Sequence, residues 1–293
     1  MVNDGRKILD ILAVVAMPKL KHFNSQDLSN MLWSYAKLES SNLLLFKAAG
    51  DSIVDMNDLS EFKPQELSNI IWAYATAGES HPQLYRKFAD HIVAMKDLQH
   101  FKPQELSNFL WAYATVGIID LHLFTSFAPA VSSVLGQCNS RNVAIIAWAY
   151  AVANVNEPLL FNSDFVAALQ AKANDFSSDG YSQLHQWQLW QDELKSGINL
   201  PPALRKKCRQ AFDLRLPQPS RLQDDVIFEL SSIGMSLEEE FLISSGYRLD
   251  ALVEVNGEKV GIEVDGPLHF INREATGRTS LTRRQVINWM IFV

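Results

Sequence analysis

The sequence predicts an α-helical repeat solenoid of helix pairs, each 37–39 residues long, followed by a small α/β domain. Three observations carry that prediction. Tryptophans fall at 33, 72, 111 and 148, separated by 39, 39 and 37 residues. They sit in fourteen-residue blocks that align without gaps: "FNSQDLSNMLWSYA", "FKPQELSNIIWAYA", "FKPQELSNFLWAYA" and "CNSRNVAIIAWAYA". Nearer the C-terminus, "GYRLDALVEVNGEKVGIEVDGPLHF" alternates apolar and polar residues on both sides of Asn256-Gly257, the pattern of a tight β-hairpin.

Each block reads as the first helix of a pair. Pro64 and Pro103 suit the first helical turn, where the missing N–H has no partner to lose. Asp27, Glu66 and Glu105 fall in that turn, favourable to the helix dipole. Leu67, Ile70, Ile71 and Tyr74 recur at helical spacing as an apolar stripe. Gly78, Gly117 and Asn154 are the expected left-handed stops. A second helix follows in each unit, lined by Leu45, Ala49, Ile53 and Met56, then by Leu84, Phe88, Ile92 and Met95, then by Leu123, Phe127 and Val131. Neither helix can bury its stripe alone, so neighbouring units must stack.

A degenerate fifth unit runs from Phe176 through "YSQLHQWQLWQDEL" to Gly197. At the other end, residues 8–20 read as the second helix of a unit whose first helix is absent, so the array begins mid-repeat. The division is therefore 1–197 for the array, 198–235 for a basic helical linker, and 236–293 for the α/β domain. Within the linker, "INLPPALRKKCRQAFDLRLPQPS" reads as a Pro-bounded basic helix and linker, and "SRLQDDVIFELSSIG" as a helix with Ser220 as N-cap and Gly234 as stop.

With 47% hydrophobic residues the chain can bury a large core. Cys138 and Cys208 have no metal-ligand spacing, which points to a reducing compartment and no structural zinc. No apolar run approaches the ~20 residues that span a bilayer, so no membrane role is expected. Net charge is −7, but it is uneven. The array carries most of the excess acid. Residues 201–221 hold six basic side chains (Arg205, Lys206, Lys207, Arg209, Arg215 and Arg221) against Asp213 alone. A second basic group is Arg273, Arg278, Arg283 and Arg284. Local charge of this kind is what a phosphate senses within a Debye length.

If Asn256 and Gly257 are the two turn residues, Leu249 faces Val264, Ala251 faces Ile262 and Val253 faces Val260, an apolar face. On the other face Glu254 opposes Lys259, Asp250 opposes Glu263 and Arg248 opposes Asp265. A one-residue slip would break this division. Like charges directly opposite destabilise a strand pair. Asp250 and Glu263 therefore need an offset: a raised pKa, a neighbouring arginine, or a divalent cation. Two readings stand, a solvated face with Arg248 bridging Asp265, or a functional carboxylate site.

"GYRLDALV", "IEVDGPLHF" and "TGRTSLTRRQV" together resemble the RAP domain, a module found at the C-terminus of organellar RNA-binding proteins. The helix pairs resemble octotricopeptide and heptatricopeptide repeats, and the helical region of the FAST-kinase-like mitochondrial proteins. The likeness covers residues 17–197 for the repeats and 236–286 for the module. It implies a restriction-endonuclease-like fold for the module, and a role in processing, stability or maturation of mitochondrial or chloroplast RNA. Implied partners are RNA and ribonucleoprotein factors, including assembly factors of mitochondrial or plastid ribosomes, with no small-molecule substrate. Nucleases of that fold place an Asp on one strand and Glu-x-Lys on the next to hold a metal. Asp250 and Glu263 match, as ligands for Mg2+ or Mn2+, but Asp265 stands where the lysine would be. His269 is the remaining acid–base candidate. The resemblance also implies a further strand and helix after residue 286, which "INWMIFV" does not match.

Three functions follow as alternatives. An RNA-binding array would use Lys63 and Lys102 at the loops, Gln26, Gln65, Gln104 and Arg141 in the first turn, and Asn30, Asn69 and Asn108 one turn on, with Arg283 as a contact in the module. Against this, the asparagines could cap or bridge units, and the tryptophans could be packing residues. An RNA endonuclease would use Asp250, Glu263, Asp265 and His269. A protein-interaction scaffold would suit the acidic array.

Overall fold

The computed structural model describes residues 2–40, 42–215 and 220–290. After α1 (Val2–Ala16) and a 3-10 turn, the helix pairs are α2 (Ser25–Lys37) with α3 (Leu43–Val54), α4 (Pro64–Ala77) with α5 (Pro82–Ala94), α6 (Pro103–Val116) with α7 (Leu121–Val134), and α8 (Ser140–Ala153) with α9 (Ser163–Ala171). The fifth block forms α10 (Ser178–Glu193). Helices α2, α4, α6, α8 and α10 stack side by side as one layer, and α3, α5 and α7 form the other. Among the described residues no helix is long and apolar enough to cross a membrane.

The repeat sequence enforces this stacking in two ways. At each start an acid or amide in the first turn caps the helix: the Lys63 and Lys102 backbone N–H groups donate to the Glu66 and Glu105 carboxylates at 2.9 and 2.8 Å. Asn24 with Asp27, and Asn139 with Asn142, bond in both directions, each side chain accepting from the other residue's backbone N–H. The recurrent tyrosine then locks each unit to the one before it. The Tyr74 hydroxyl donates to the Phe46 carbonyl, Tyr113 to Tyr85 and Tyr150 to Phe124, at 2.6–2.7 Å. Tyr35 reaches Leu9 in the same way. Removing one such hydroxyl leaves a buried carbonyl short of a partner, a cost of about 1–2 kcal/mol. Tyr113→Phe should therefore lower the unfolding free energy measured in urea by that amount, with the helical signal retained.

The expected stops hold: Gly78, Gly117 and Asn154 are all left-handed. The basic segment forms α11 (Pro202–Asp213), which packs along α10 and buries Leu204 and Cys208 in the array core. The prolines expected to bound its linker, Pro217 and Pro219, lie outside the described residues, as does the end of "INWMIFV". Helix α12 (Arg221–Ser232) is capped by Ser220 and ends before left-handed Gly234, as predicted.

The C-terminal module is an antiparallel meander of β1 (Leu237–Leu242), β2 (Arg248–Val255) and β3 (Glu258–Ile262), then a small hairpin of β4 (Phe270–Ile271) and β5 (Glu274–Ala275), then α13 (Gly277–Met290). The predicted register is present, with Ala251 against Ile262, Val253 against Val260 and Glu254 against Lys259. Asn256 and Gly257 both have positive φ, as the tight turn requires. The apolar face is realised on only one of the two strands. Leu249, Ala251 and Val253 are buried, but Val260 on the outer strand is exposed.

The module does not complete its core alone. Leu189 of α10 and Phe212 of α11 pack with Ile243, Tyr247, Leu249 and Val286. Helix α13 lies across α6, α8 and α10. Gln186 donates to the Tyr247 hydroxyl at 2.6 Å, Tyr247 donates to the Gln285 side-chain oxygen at 2.7 Å, and Gln285 donates to the Gln186 carbonyl at 2.7 Å. All three side chains are buried. At the start of α13 the backbone runs so close to α6 that only glycine fits at 277.

Candidate nucleic-acid interface

Gln65, Asn69, Trp72 and Thr76 are spaced along α4 so that they share one face. They are exposed or half-buried, while Leu67, Ile70, Ile71 and Tyr74 are buried. The same stripe is Gln26, Asn30, Trp33 and Lys37 on α2, and Gln104, Asn108, Trp111 and Thr115 on α6. Lys63 and Lys102, exposed at the N-caps, stand at its edge. Stacking α2, α4 and α6 brings the predicted lysines, glutamines and asparagines of these helices onto one surface, together with Lys37, Thr76, Thr115 and the three tryptophans. Bridging between units falls to Asn142, whose amide donates to Ser107 at 2.9 Å.

The tryptophans form a row across these helices. Trp33 is 41% exposed, and Trp72 and Trp111 are partly open, with ring centroids 6.4 Å apart and planes inclined by 30°. The Lys37 ammonium lies 5.7 Å from the Trp33 ring and 5.0 Å from the Trp72 ring, on neighbouring helices. On α8 the stripe closes. Arg141 is exposed, but Ile145, Trp148 and Val152 are buried, and α13 packs there. The open surface thus runs from α2 to α6 and ends against the module. At the tryptophan position of the fifth unit stands Gln186, which joins the module through Tyr247.

The carboxylates of the hairpin gather separately. Asp250, Glu263, Asp265, His269 and Arg283 line one cavity of about 900 Å3 beneath α13. The β2–β3 ladder stops at Ala251 and Ile262, so Glu263 lies one residue beyond it. Asp250 caps the exit, accepting from the Val264 N–H at 2.5 Å. Arg248 does not bridge Asp265 as the hairpin register predicts. Its guanidinium donates to the Glu240 carbonyl at 3.3 Å. Asp265 is held instead by Arg283 at 2.5 Å and His269 at 2.5 Å. The chain leaves the ladder before residue 265, so strand opposition no longer decides its neighbours. Arg283 is thereby engaged in an ion pair, with its guanidinium also 5.6 Å from the Phe270 ring.

A fourth carboxylate is Glu240. Glu239 pairs with Ala251 and Phe241 with Leu249, which sets Glu240 against Asp250. Its φ is +51°, uncommon for a non-glycine residue, and its side chain accepts from Gln223 at 2.9 Å. Burial and the charges of Glu240 and Asp265 raise the Asp250 carboxyl, while the Val264 N–H opposes them. Asp265 is lowered despite its burial, by Arg283 and His269. At Glu263, partial burial and then Asp250, Asp265 and Glu240 push the carboxyl up to about 8.

That shift has a defined sign. The folded chain holds the Glu263 proton more tightly than the unfolded chain does, so stability falls as pH rises from about 4.5 to about 8. Glu263 remains substantially open to solvent, which screens the effect to the order of 1 kcal/mol. Glu263→Gln should raise the melting temperature at pH 8.5 and give no such gain at pH 4. Paired melts at the two pH values check this.

Strand β1 and Glu240 escape sequence patterning, because three consecutive glutamates mask the alternation. Lys37 and the open tryptophan faces escape it too, because a tryptophan beside an apolar stripe reads as packing. The only signal was the i+4 spacing of Lys37 from Trp33.

Nothing among curated proteins matches the chain. The family model described as RNA-editing substrate-binding complex 6 protein matches residues 3–195. That match spans the helical array and stops before α11. The chain therefore belongs to the RNA-editing substrate-binding complex 6 protein family.

Proposed function

We propose that the chain binds single-stranded RNA along the open stripe of α2, α4 and α6, within an RNA-processing assembly. The row of Trp33, Trp72 and Trp111 with Lys37 set between rings is the observation that carries this reading. Aromatic faces stack on any base, and lysines beside them meet the backbone phosphates. The glutamines and asparagines of the stripe add hydrogen bonds to base edges or riboses. Those residues are identical on α4 and α6, so the array reads strand geometry more than sequence.

The family is described as a substrate-binding complex protein, which favours protein partners beside RNA as a second role. RNA-editing complexes are typically mitochondrial, which favours the mitochondrion over the chloroplast. The C-terminal module, read as RAP-type, closes the array and supports the RNA path. Endonuclease chemistry would need a divalent ion between Asp250 and Glu263. The residues do not favour one: the Val264 N–H already takes one oxygen of Asp250, and burial with the neighbouring carboxylates raises the Glu263 carboxyl, which weakens it as a ligand. Among the described residues no group of three or more His, Cys, Asp or Glu side chains is placed to hold a metal. Asp250→Ala should therefore leave RNA integrity in Mg2+ or Mn2+ unchanged.

Fluorescence anisotropy with labelled RNA tests the binding. A single strand should bind more tightly than a duplex of equal length. If Lys37, Lys63, Lys102 and Arg141 each neutralise one phosphate, log affinity against log salt should have a slope of about −3. No binding at low salt, or a preference for duplex, would overturn the reading.

A further inference from the structure

Beyond the stripe, where α10, α11, β2 and α13 meet, is a second cavity of about 260 Å3. Arg215, Arg248 and Arg278 line it, with Gln186 and Thr282. These arginines come from three separate segments, and only folding brings them together. We propose that this cavity is a binding site for a phosphate group of RNA.

Its size is slightly below that of sites that enclose a whole small molecule, about 300–1,000 Å3, so it suits a charged group better than a free metabolite. Three guanidiniums offer planar forked donors matched to phosphate oxygens. Their own neutralisation is incomplete. Arg215 pairs at 3.1 Å with Asp179, whose side chain is 86% exposed, so solvent weakens the bond. Among the described residues the Arg248 guanidinium donates to the Glu240 carbonyl alone, and neither Arg248 nor Arg278 forms an ion pair. Burial and the charge of Arg278 lower the hold of Arg215 on its proton, and Asp179 opposes them.

Two acids share the wall, Glu240 and Asp250. Both are engaged elsewhere, Glu240 with the Gln223 amide and Asp250 with the Val264 N–H. They leave three positive charges against two negative ones; Asp250 and Arg278 also line the larger carboxylate cavity, while Arg215, Arg248 and Glu240 line this one. Gln186, in the cavity wall, occupies the fifth unit's counterpart of the tryptophan column.

The full chain titrated with inorganic phosphate and with pyrophosphate, at ionic strength matched by sodium chloride, tests the site. Thermal shift and phosphorus NMR line width are the readouts. Both anions should stabilise the chain where chloride does not. Arg248→Gln and Arg278→Gln, at exposed positions, should each weaken phosphate binding about tenfold, and Arg278→Lys should recover part of it. Oligoribonucleotides of one sequence with a 5′-phosphate, a 3′-phosphate or neither identify the source. Tighter binding of one phosphorylated end, lost in Arg278→Gln, assigns a terminal phosphate. Equal weakening of all three by Arg278→Gln assigns a backbone phosphate. Equal stabilisation by chloride, or undiminished phosphate binding in the Arg248→Gln, Arg278→Gln double variant, overturns the proposal. Trp72→Ala should leave phosphate binding intact, so failure of the stripe and failure of this pocket are separately visible.

Discussion

Gly277→Ala should destabilise the chain by about 3 kcal/mol, the upper end of the usual cost of forced overpacking, and release α13 from the array. A Cβ at that position would meet the Ala114 carbonyl oxygen at 1.6 Å and Val152 Cγ1 at 2.7 Å. The first obstacle is backbone, on a buried turn of α6, and cannot rotate away. Undocking would also strand the Gln186–Tyr247–Gln285 network, in which every buried polar group depends on the other segment. The control is Gly136→Ala, where an added Cβ meets nothing within 4 Å. Hydrogen exchange should show α13 and β2 losing protection in the first variant while α4 and α5 keep theirs, since a repeat array transmits damage mainly to nearest neighbours. Uniform protection in Gly277→Ala would mean that the module is not docked this way.

Trp72→Ala should weaken single-stranded RNA binding by about fivefold to a hundredfold, the value of one base stacked on an aromatic ring. Trp72 stands at the centre of the row, between Lys37 and Trp111. It is only half-buried and Ala at 72 suits a helix, so the array should still fold. Lys37→Ala removes the cation between two rings and should flatten the salt slope by about 0.7. The two losses share one site, so their sum should exceed the double variant's loss. Lys47→Ala, whose ammonium pairs with Asp51 on α3, is the matched control and should leave affinity unchanged.

The array was legible because its information is local and repeated. Prolines at the first turn, acids at the cap, and left-handed residues at the stop each specify one helix boundary, and the hydrophobic period specifies its buried face. The hairpin register was legible for the same reason: one turn and one alternation over-determine it. What the sequence hides is created by distance along the chain. Arg283 reaches Asp265 from α13, and Arg215, Arg248 and Arg278 converge from three elements. The docking of α13 depends on a glycine whose neighbour, Ala114, lies on α6. The closure of the stripe at Trp148 is invisible in a block whose tryptophan matches the others. Conversely, opposition across a strand pair misassigned Arg248, because the ladder ends one residue before Glu263.

The central claim is that RNA lies on the α2–α4–α6 stripe. Photocrosslinking the native chain to a 4-thiouridine-containing single strand, followed by mapping of the modified peptides, tests it most directly. Crosslinks should fall within residues 26–37, 63–76 and 102–115, on both sides of the Trp72 position, and should fade with added salt. Crosslinks confined to α3, α5 and α7, on the opposite layer, would contradict it.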